Sequence, residues 1–218
     1  MRYEDILKNE EVRAFIRKGN ANLRVLGFTD HSEAHTAMVA ERAAYILKEL
    51  GHDEHEIELV KIAGFMHDIG NCINRTRHAE YGALLANELL EHTDMSLEDR
   101  VTIVSAIGNH DESTGGAKDA ISAALIIADK TDVRRNRVAE KDTNKFDIHD
   151  RVNYAVTDAQ LEVNKEKMEI VLNLTIDENI CTMYEYFEIF LGRMVMSRGA
   201  AELLGVKFKL YANGSKIL

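Results

Sequence analysis

Residues 62–70 read Ile62-Ala63-Gly64-Phe65-Met66-His67-Asp68-Ile69-Gly70, an apolar run that ends in an imidazole and a carboxylate. Upstream, Ile57, Val60, Ala63 and Gly64 recur at three- and four-residue spacing, which predicts a helix over about 54–68 that stops near Gly70. Neighbouring residues of a helix project about 100° apart, so His67 and Asp68 can embrace an ion between helices but cannot both face solvent. Burying such a pair costs desolvation free energy unless something compensates it. Taken alone, the pair also fits a helix C-terminal histidine that complements the dipole.

Outward from this stretch the periodicity stays helical to about residue 140. Residues 34–50, AHTAMVAERAAYILKEL, space Ala34, Met38, Ala44 and Leu47 for a helix ending at Gly51, and Asp30-x-x-Glu33 resembles a capping box before it. Further helices are expected over 78–91 and from Ser96 to about His110. After the loop DESTGGAKD, a fifth is expected over 119–138; its first half, AISAALIIA, is apolar on nearly every side and so reads as buried. Beyond residue 150 the period changes to two. The segment 153–177 alternates apolar and polar residues on both sides of Asn164–Lys167, which predicts two antiparallel strands and a turn. A helix over 182–204 and a strand at Lys207–Tyr211 close the chain. The expected architecture is mainly α: a helical domain over 1–145, then a small α+β domain over 146–218.

With 45% hydrophobic and 29% charged residues, the 218-residue chain has the composition of a globular protein able to bury a core. No apolar run approaches the ~20 residues that span a bilayer. The charged opening MRYEDILKNEEVRAF lacks a signal peptide's apolar segment, and Cys72 and Cys181 are the two cysteines. A cytoplasmic location is expected. The net charge of −10 argues against partnership with extended nucleic acid or a membrane surface. Against that acidic background, Arg75 and Arg77 lie together, and Lys130, Arg134, Arg135 and Arg137 form a basic stretch.

Two further residues are anomalous. Asp129 ends the apolar run AALIIA inside what reads as a buried helix, where an unpaired carboxylate is rare. His35 sits early on an amphipathic helix among apolar neighbours. Imidazoles and carboxylates together suit iron, manganese, zinc or nickel better than calcium or magnesium. In order, His35-Thr-Ala-Met-Val-Ala-Glu-Arg-Ala, His67-Asp68-Ile-Gly-Asn and Ile-Ala-Asp129-Lys resemble the H…HD…D signature of the HD-domain metal-dependent phosphohydrolase superfamily, over about residues 30–137.

The resemblance implies an HD-type helical bundle with His35, His67, Asp68 and Asp129 as metal ligands. In the superfamily's binuclear branches two more histidines lie between the HD pair and the last Asp, and His78 and His110 fit by order and context. His31, His52, His55, His92 and His149 are set aside as lying in polar or loop-like surroundings. One or two divalent transition-metal ions are implied, iron or manganese first, with nickel, cobalt, zinc or magnesium as further options. Asp68 would bridge the ions, and a metal-activated water would attack a phosphate ester. Lys130, Arg134, Arg137 and Arg77 would meet the phosphate, and Asp111 or Glu112 would protonate the leaving group or order water. After HD the chain reads Ile-Gly-Asn-Cys, and the loop after His110 carries no Gly-Tyr-Pro. The marks of the guanosine tetraphosphate, cyclic-di-GMP and deoxynucleotide triphosphate branches are therefore absent, which leaves a nucleotide or another small phosphate ester as the expected substrate. The alternatives are a di-iron oxygenase of the same superfamily and a non-catalytic metal- or nucleotide-binding sensor. A homodimer is compatible with the Met-, Phe- and Tyr-rich final helix.

Overall fold

A computed structural model describes residues 1–138, 143 and 146–218. Its helices start where the sequence offers a short polar side chain to the unpaired N–H groups of the first turn. After the short α1 (Tyr3–Leu7), Asn9 opens α2 (Glu10–Val25), Ser32 opens α3 (Glu33–Leu50) and Asp53 opens α4 (Glu54–Met66). α5 (His78–Glu91) follows a loop, Ser96 opens α6 (Leu97–Gly108), and Asp119 opens α7 (Ala120–Lys130) with a reciprocal capping box. The cap of α3 is thus Ser32, not Asp30 as the sequence suggests. The Asp30 carboxylate instead binds the Ser32 hydroxyl, Asn20 and Arg24.

Two glycines set how closely these helices approach. A Cβ on Gly64 would stand 2.7 Å from the Ala40 Cα, so only glycine lets α4 cross α3 at this distance. A Cβ on Gly70 would fall 2.0 Å from the His78 carbonyl oxygen, which lets the first turn of α5 lie against the turn after α4. Around these crossings Val39, Ala43, Ile46, Val60, Ile62, Leu125 and Ile126 are wholly buried. Each large side chain among them contributes about 1.5–3 kcal/mol of hydrophobic stabilisation.

α7 stops eight residues earlier than its periodicity predicts. Thr131 Oγ1 donates back to the Ile127 carbonyl at 2.6 Å, and residues 131–138 run irregularly, with a single 3-10 turn at Arg135–Arg137. The chain leaves the helix because Asp132 turns inward to an imidazole and Arg137 folds onto carbonyl oxygens. A second departure is α8 (Ile148–Ala155), which takes Asn153–Ala155 out of the expected strand.

The remainder follows the period-two reading. β1 (Val156–Asn164) pairs antiparallel with β2 (Glu169–Ile176), and α9 (Met183–Leu203) returns the chain to β3 (Lys207–Ala212), parallel to β2. β4 (Ser215–Lys216) completes the order β1-β2-β3-β4. Ile170, Leu172 and Leu174 of β2 and Phe208, Leu210 and Ala212 of β3 point to one face and join the same continuous core as the helices. α9 packs on α7, bringing the C-terminal segment against the helix that carries Asp129. Among the described residues no helix is long and apolar enough to cross a membrane.

Candidate metal centre

Four histidines from four places in the chain are held in the same way. His35 Nδ1 donates to Asp132 Oδ2 at 2.7 Å, and His67 Nδ1 to the Gly64 carbonyl at 2.7 Å. His78 Nδ1 donates to the Arg75 carbonyl at 3.1 Å, and His110 Nδ1 to the Ile107 carbonyl at 2.6 Å. Three of these acceptors are carbonyls three residues upstream, at a helix end or tight turn. With Nδ1 hydrogen-bonded to an oxygen, Nε2 is the ring atom of each histidine left to face a cation.

The four Nε2 atoms converge on the two oxygens of Asp68. His35 Nε2 lies 3.7 Å and His67 Nε2 3.2 Å from Asp68 Oδ2. The same two atoms lie 3.5 and 3.6 Å from Asp129 Oδ1. On the other side His78 Nε2 is 3.5 Å and His110 Nε2 4.0 Å from Asp68 Oδ1, with 3.2 Å between the two nitrogens. Asp68 therefore stands between two half-sites, His35/His67/Asp129 and His78/His110. Asn71 orients it by donating from Nδ2 to Asp68 Oδ1 at 2.8 Å and to its carbonyl at 3.0 Å. The backbone helps: at φ −99°, ψ 3° Asp68 has left the helix, which swings its carboxylate away from the direction a continued helix would give it.

Charge and burial test whether this arrangement suits a cation. Among the described residues, His35 Nε2 and His67 Nε2 are buried with no hydrogen-bond partner, a costly state for polar atoms unless a further group satisfies them. The facing Nε2 lone pairs of His78 and His110 repel unless a positive charge lies between them. Burial works against the charge on Asp68, but His67 beside it holds its pKa well below the usual carboxylate range. Asp129 is likewise held low, against burial, chiefly by Lys130 at 2.7 Å. His110 and His78 are driven down by burial and stay neutral. For His67 burial also disfavours the cation, yet the two aspartates outweigh it and carry the pKa up to about 10. Ionised carboxylates and neutral imidazoles are the ligand forms that divalent transition metals require. The donor atoms of His35, His67 and Asp129, and those of His67, Asp68 and His110, all lie within 4.8 Å of one another, close enough to share an ion. The residues fit the metal that the sequence implies.

The structure thus draws together His35, His67, Asp68, His78, His110 and Asp129. It treats the other candidates differently. Lys130 reaches the cluster through Asp129. Asp111 lies 3.8 Å from His78 Nδ1. Burial raises its pKa, but hydrogen bonds from Ser113 outweigh that and lower it, so the group is an anion at neutral pH rather than an acid ready to donate. Arg134 and Arg137, expected to meet phosphate, are instead committed to the protein. Arg134 clamps Asp132 at 2.5 and 3.2 Å, while the buried Arg137 donates to the carbonyls of Asp30 and Asp132. A buried guanidinium needs such acceptors. Arg77 is exposed at the start of α5 in a left-handed conformation, and no hydrogen bond or ion pair joins it to the cluster. Arg75 does reach it, with Nη1 3.3 Å from His78 Nε2 and its guanidinium over the Phe28 ring.

Sequence reasoning passed over Asp132, Asn71 and His31. Asp132 is three residues after Asp129 and Asn71 three after Asp68, a helical-turn spacing that hints at a shared side. His31 does not have the loop-like surroundings expected of it. It is buried, its Nδ1 donates to the Thr29 carbonyl at 2.6 Å, and its ring meets His35 edge-on with centroids 5.5 Å apart. His52 and His55 lie away from the cluster, each 2.8 Å from a carboxylate, of Glu56 and Asp99 respectively, and His92 and His149 are exposed.

Residues 33–137, which contain all six convergent residues, match the family model described as HD domain. An uncharacterized protein of Methanocaldococcus jannaschii is 26% identical over 200 residues, covering 79% of this chain and 76% of that protein. The crystal structure of a predicted HD superfamily hydrolase from an uncultured Thermotogales bacterium is similar with a TM-score of 0.46 and 22% identity, over 62% of this chain and 75% of the other.

Proposed function

We propose that the chain, whose residues 33–137 match the HD domain model, is a metal-dependent phosphohydrolase of the HD-domain superfamily acting on a nucleotide or another small phosphate ester. The observation that carries this reading is the shared orientation of His35, His67, His78 and His110: every Nδ1 is tied to an oxygen, and every Nε2 faces a carboxylate oxygen of Asp68. Side chains serving only the fold would not leave two imidazole nitrogens buried and unpartnered.

In this reading His35, His67, Asp68 and Asp129 would hold one divalent ion, and Asp68, His78 and His110 would hold a second. Such ions lower the pKa of water towards neutrality and withdraw charge from phosphoryl oxygens. The chain's own residues supply the rest. Asp132 and the three carbonyl acceptors fix the ring orientations before any ion arrives, so the side chains need little rearrangement on binding. Lys130 keeps Asp129 ionised and places an ammonium beside the centre, where it offsets the charge that develops on the phosphoryl group. Asp111, as an anion, orients His78 and is suited to accept a proton.

The test is the metal content of the purified chain, followed by turnover of mono-, di- and cyclic nucleotides with Asp68→Ala as control. Stoichiometric transition metal and turnover that disappears in the variant are expected. Equal turnover by both proteins on every substrate would sink the assignment. Oxygen consumption without phosphate release would point to the di-iron oxygenase, which could use the same six ligands.

A further inference from the structure

Outside the ligand set, one group of charges spans three elements at the edge of the centre. Lys130 ends α7, Glu112 lies in the loop after α6, and Arg193 belongs to α9 in the C-terminal segment. Glu112 Oε2 is 3.7 Å from Lys130 Nζ and 3.7 Å from Arg193 Nε, so one carboxylate oxygen sits between two cations. Neither approach is a tight hydrogen bond. Glu112 is the most exposed of the three, its side chain 38% accessible against 23% for Arg193 and 7% for Lys130. Among the described residues Glu112 is the sole ion-pair partner of Arg193, whereas Lys130 also holds Asp129 at 2.7 Å. The Arg193 guanidinium stands 4.9 Å over the ring of buried Phe190, one turn earlier on α9, which limits where it can point.

We propose that Lys130 and Arg193 form a phosphate-binding pair at the rim of the metal centre, with Glu112 occupying the place of the anion until a substrate phosphate group displaces it. The proposal rests on the phosphohydrolase reading above and adds a specificity element from outside the family-matched residues 33–137. A loosely held, exposed carboxylate between two cations gives up little on release, because water and salt already screen it. A phosphate oxygen there gains charge-assisted hydrogen bonds from two directions and sits next to the carboxylate that binds metal. Arg193 also acts on the interior. Burial lowers the Arg137 pKa and Asp132 raises it, and Arg193 is the next contributor, lowering it by like-charge repulsion. Its guanidinium is therefore near enough to the centre to be felt by a residue that braces Asp132. An anion at this position would relieve that repulsion as well.

The experiment is calorimetric titration of inorganic phosphate into the full chain loaded with Mn2+, for the wild type, Arg193→Ala, Arg193→Lys and Glu112→Gln. Metal content is measured on the same samples. Removing a charged donor should weaken phosphate binding at least tenfold in Arg193→Ala, with metal content unchanged and partial recovery in Arg193→Lys. Glu112→Gln should tighten binding several-fold, because the competing anion is gone. Should Arg193→Ala fail to fold, the Arg193→Lys and Glu112→Gln results decide the matter by themselves. Wild-type phosphate affinity in all variants would overturn the role of the pair and leave the phosphohydrolase reading intact. A metal-loaded wild type that neither binds phosphate nor turns over any phosphate ester would overturn both.

Discussion

Replacing Asp132 by Asn tests the centre without touching a proposed metal ligand. Asp132 is wholly buried, receives the His35 Nδ1 proton at 2.7 Å, and is clamped by Arg134 at 2.5 Å and approached by Arg137 at 3.5 Å. The amide is nearly isosteric, so volume and packing stay the same, but the negative charge disappears. Two consequences follow, with separate magnitudes. The first concerns His35, whose Nε2 basicity and orientation depend on that partner. Loss of such a partner typically lowers metal affinity by about 10–100-fold, or roughly 1.4–2.7 kcal/mol. The second concerns the metal-free fold, since breaking a buried ion pair on one side costs about 3–5 kcal/mol. Arg134 is a third exposed and Arg137 keeps its carbonyl acceptors, so the lower end applies, about 3 kcal/mol. For a chain of this size that corresponds to a fall of roughly 6–12 °C in the Tm of the metal-free protein. Competition with a chelator of known affinity measures the first quantity and a thermal melt the second. An Asp132→Asn protein that binds metal as tightly as the wild type would refute the idea that this carboxylate tunes His35, whatever happens to its Tm.

Other predictions concern pH and close packing. Because the His67 pKa is up to about 10 in the metal-free chain, an incoming ion displaces its proton, and apparent metal affinity should rise about tenfold per pH unit between pH 6.5 and 9 in buffered chelator titrations. A flat profile would mean that His67 carries no proton. Linkage has the opposite sign for the metal-free fold. A raised folded pKa gives stability that is fully present below the unfolded value of 6.5 and lost as pH climbs towards 10, so the metal-free Tm should decline over that window. Gly70→Ala places a Cβ 2.0 Å from the His78 carbonyl oxygen, so α5 must move. Loss of the second metal equivalent before the first, counted by elemental analysis, is the expected result. Gly64→Ala forces α4 off Ala40 and should cost about 1–3 kcal/mol in a denaturant melt, with unchanged stability ruling out the close crossing.

The amino-acid order alone was enough for the elements whose cause is local. Apolar spacing specifies α3 through α6, and a capping side chain opens α3, α4 and α6, because helical periodicity and capping act within one or two turns. The same holds for the β1–β2 hairpin, whose alternation and polar Asn164–Lys167 turn are both local signals. Buried anomalies such as Asp129 were also legible, since a carboxylate inside an apolar run conflicts with its neighbours at any distance from the rest of the chain. Tertiary structure decided what depends on partners far away in sequence. α7 stops at Lys130 because Asp132 meets His35, 97 residues earlier, and Arg137 meets the Asp30 carbonyl, 107 residues earlier. Those contacts also turn two arginines that looked free for phosphate into braces for a carboxylate, and they put His31 in the interior. Arg193 reached the rim of the centre through the packing of α9 on α7. No local rule encodes these outcomes: a buried charge is stable only where a complementary group arrives, and only the folded chain determines which group that is.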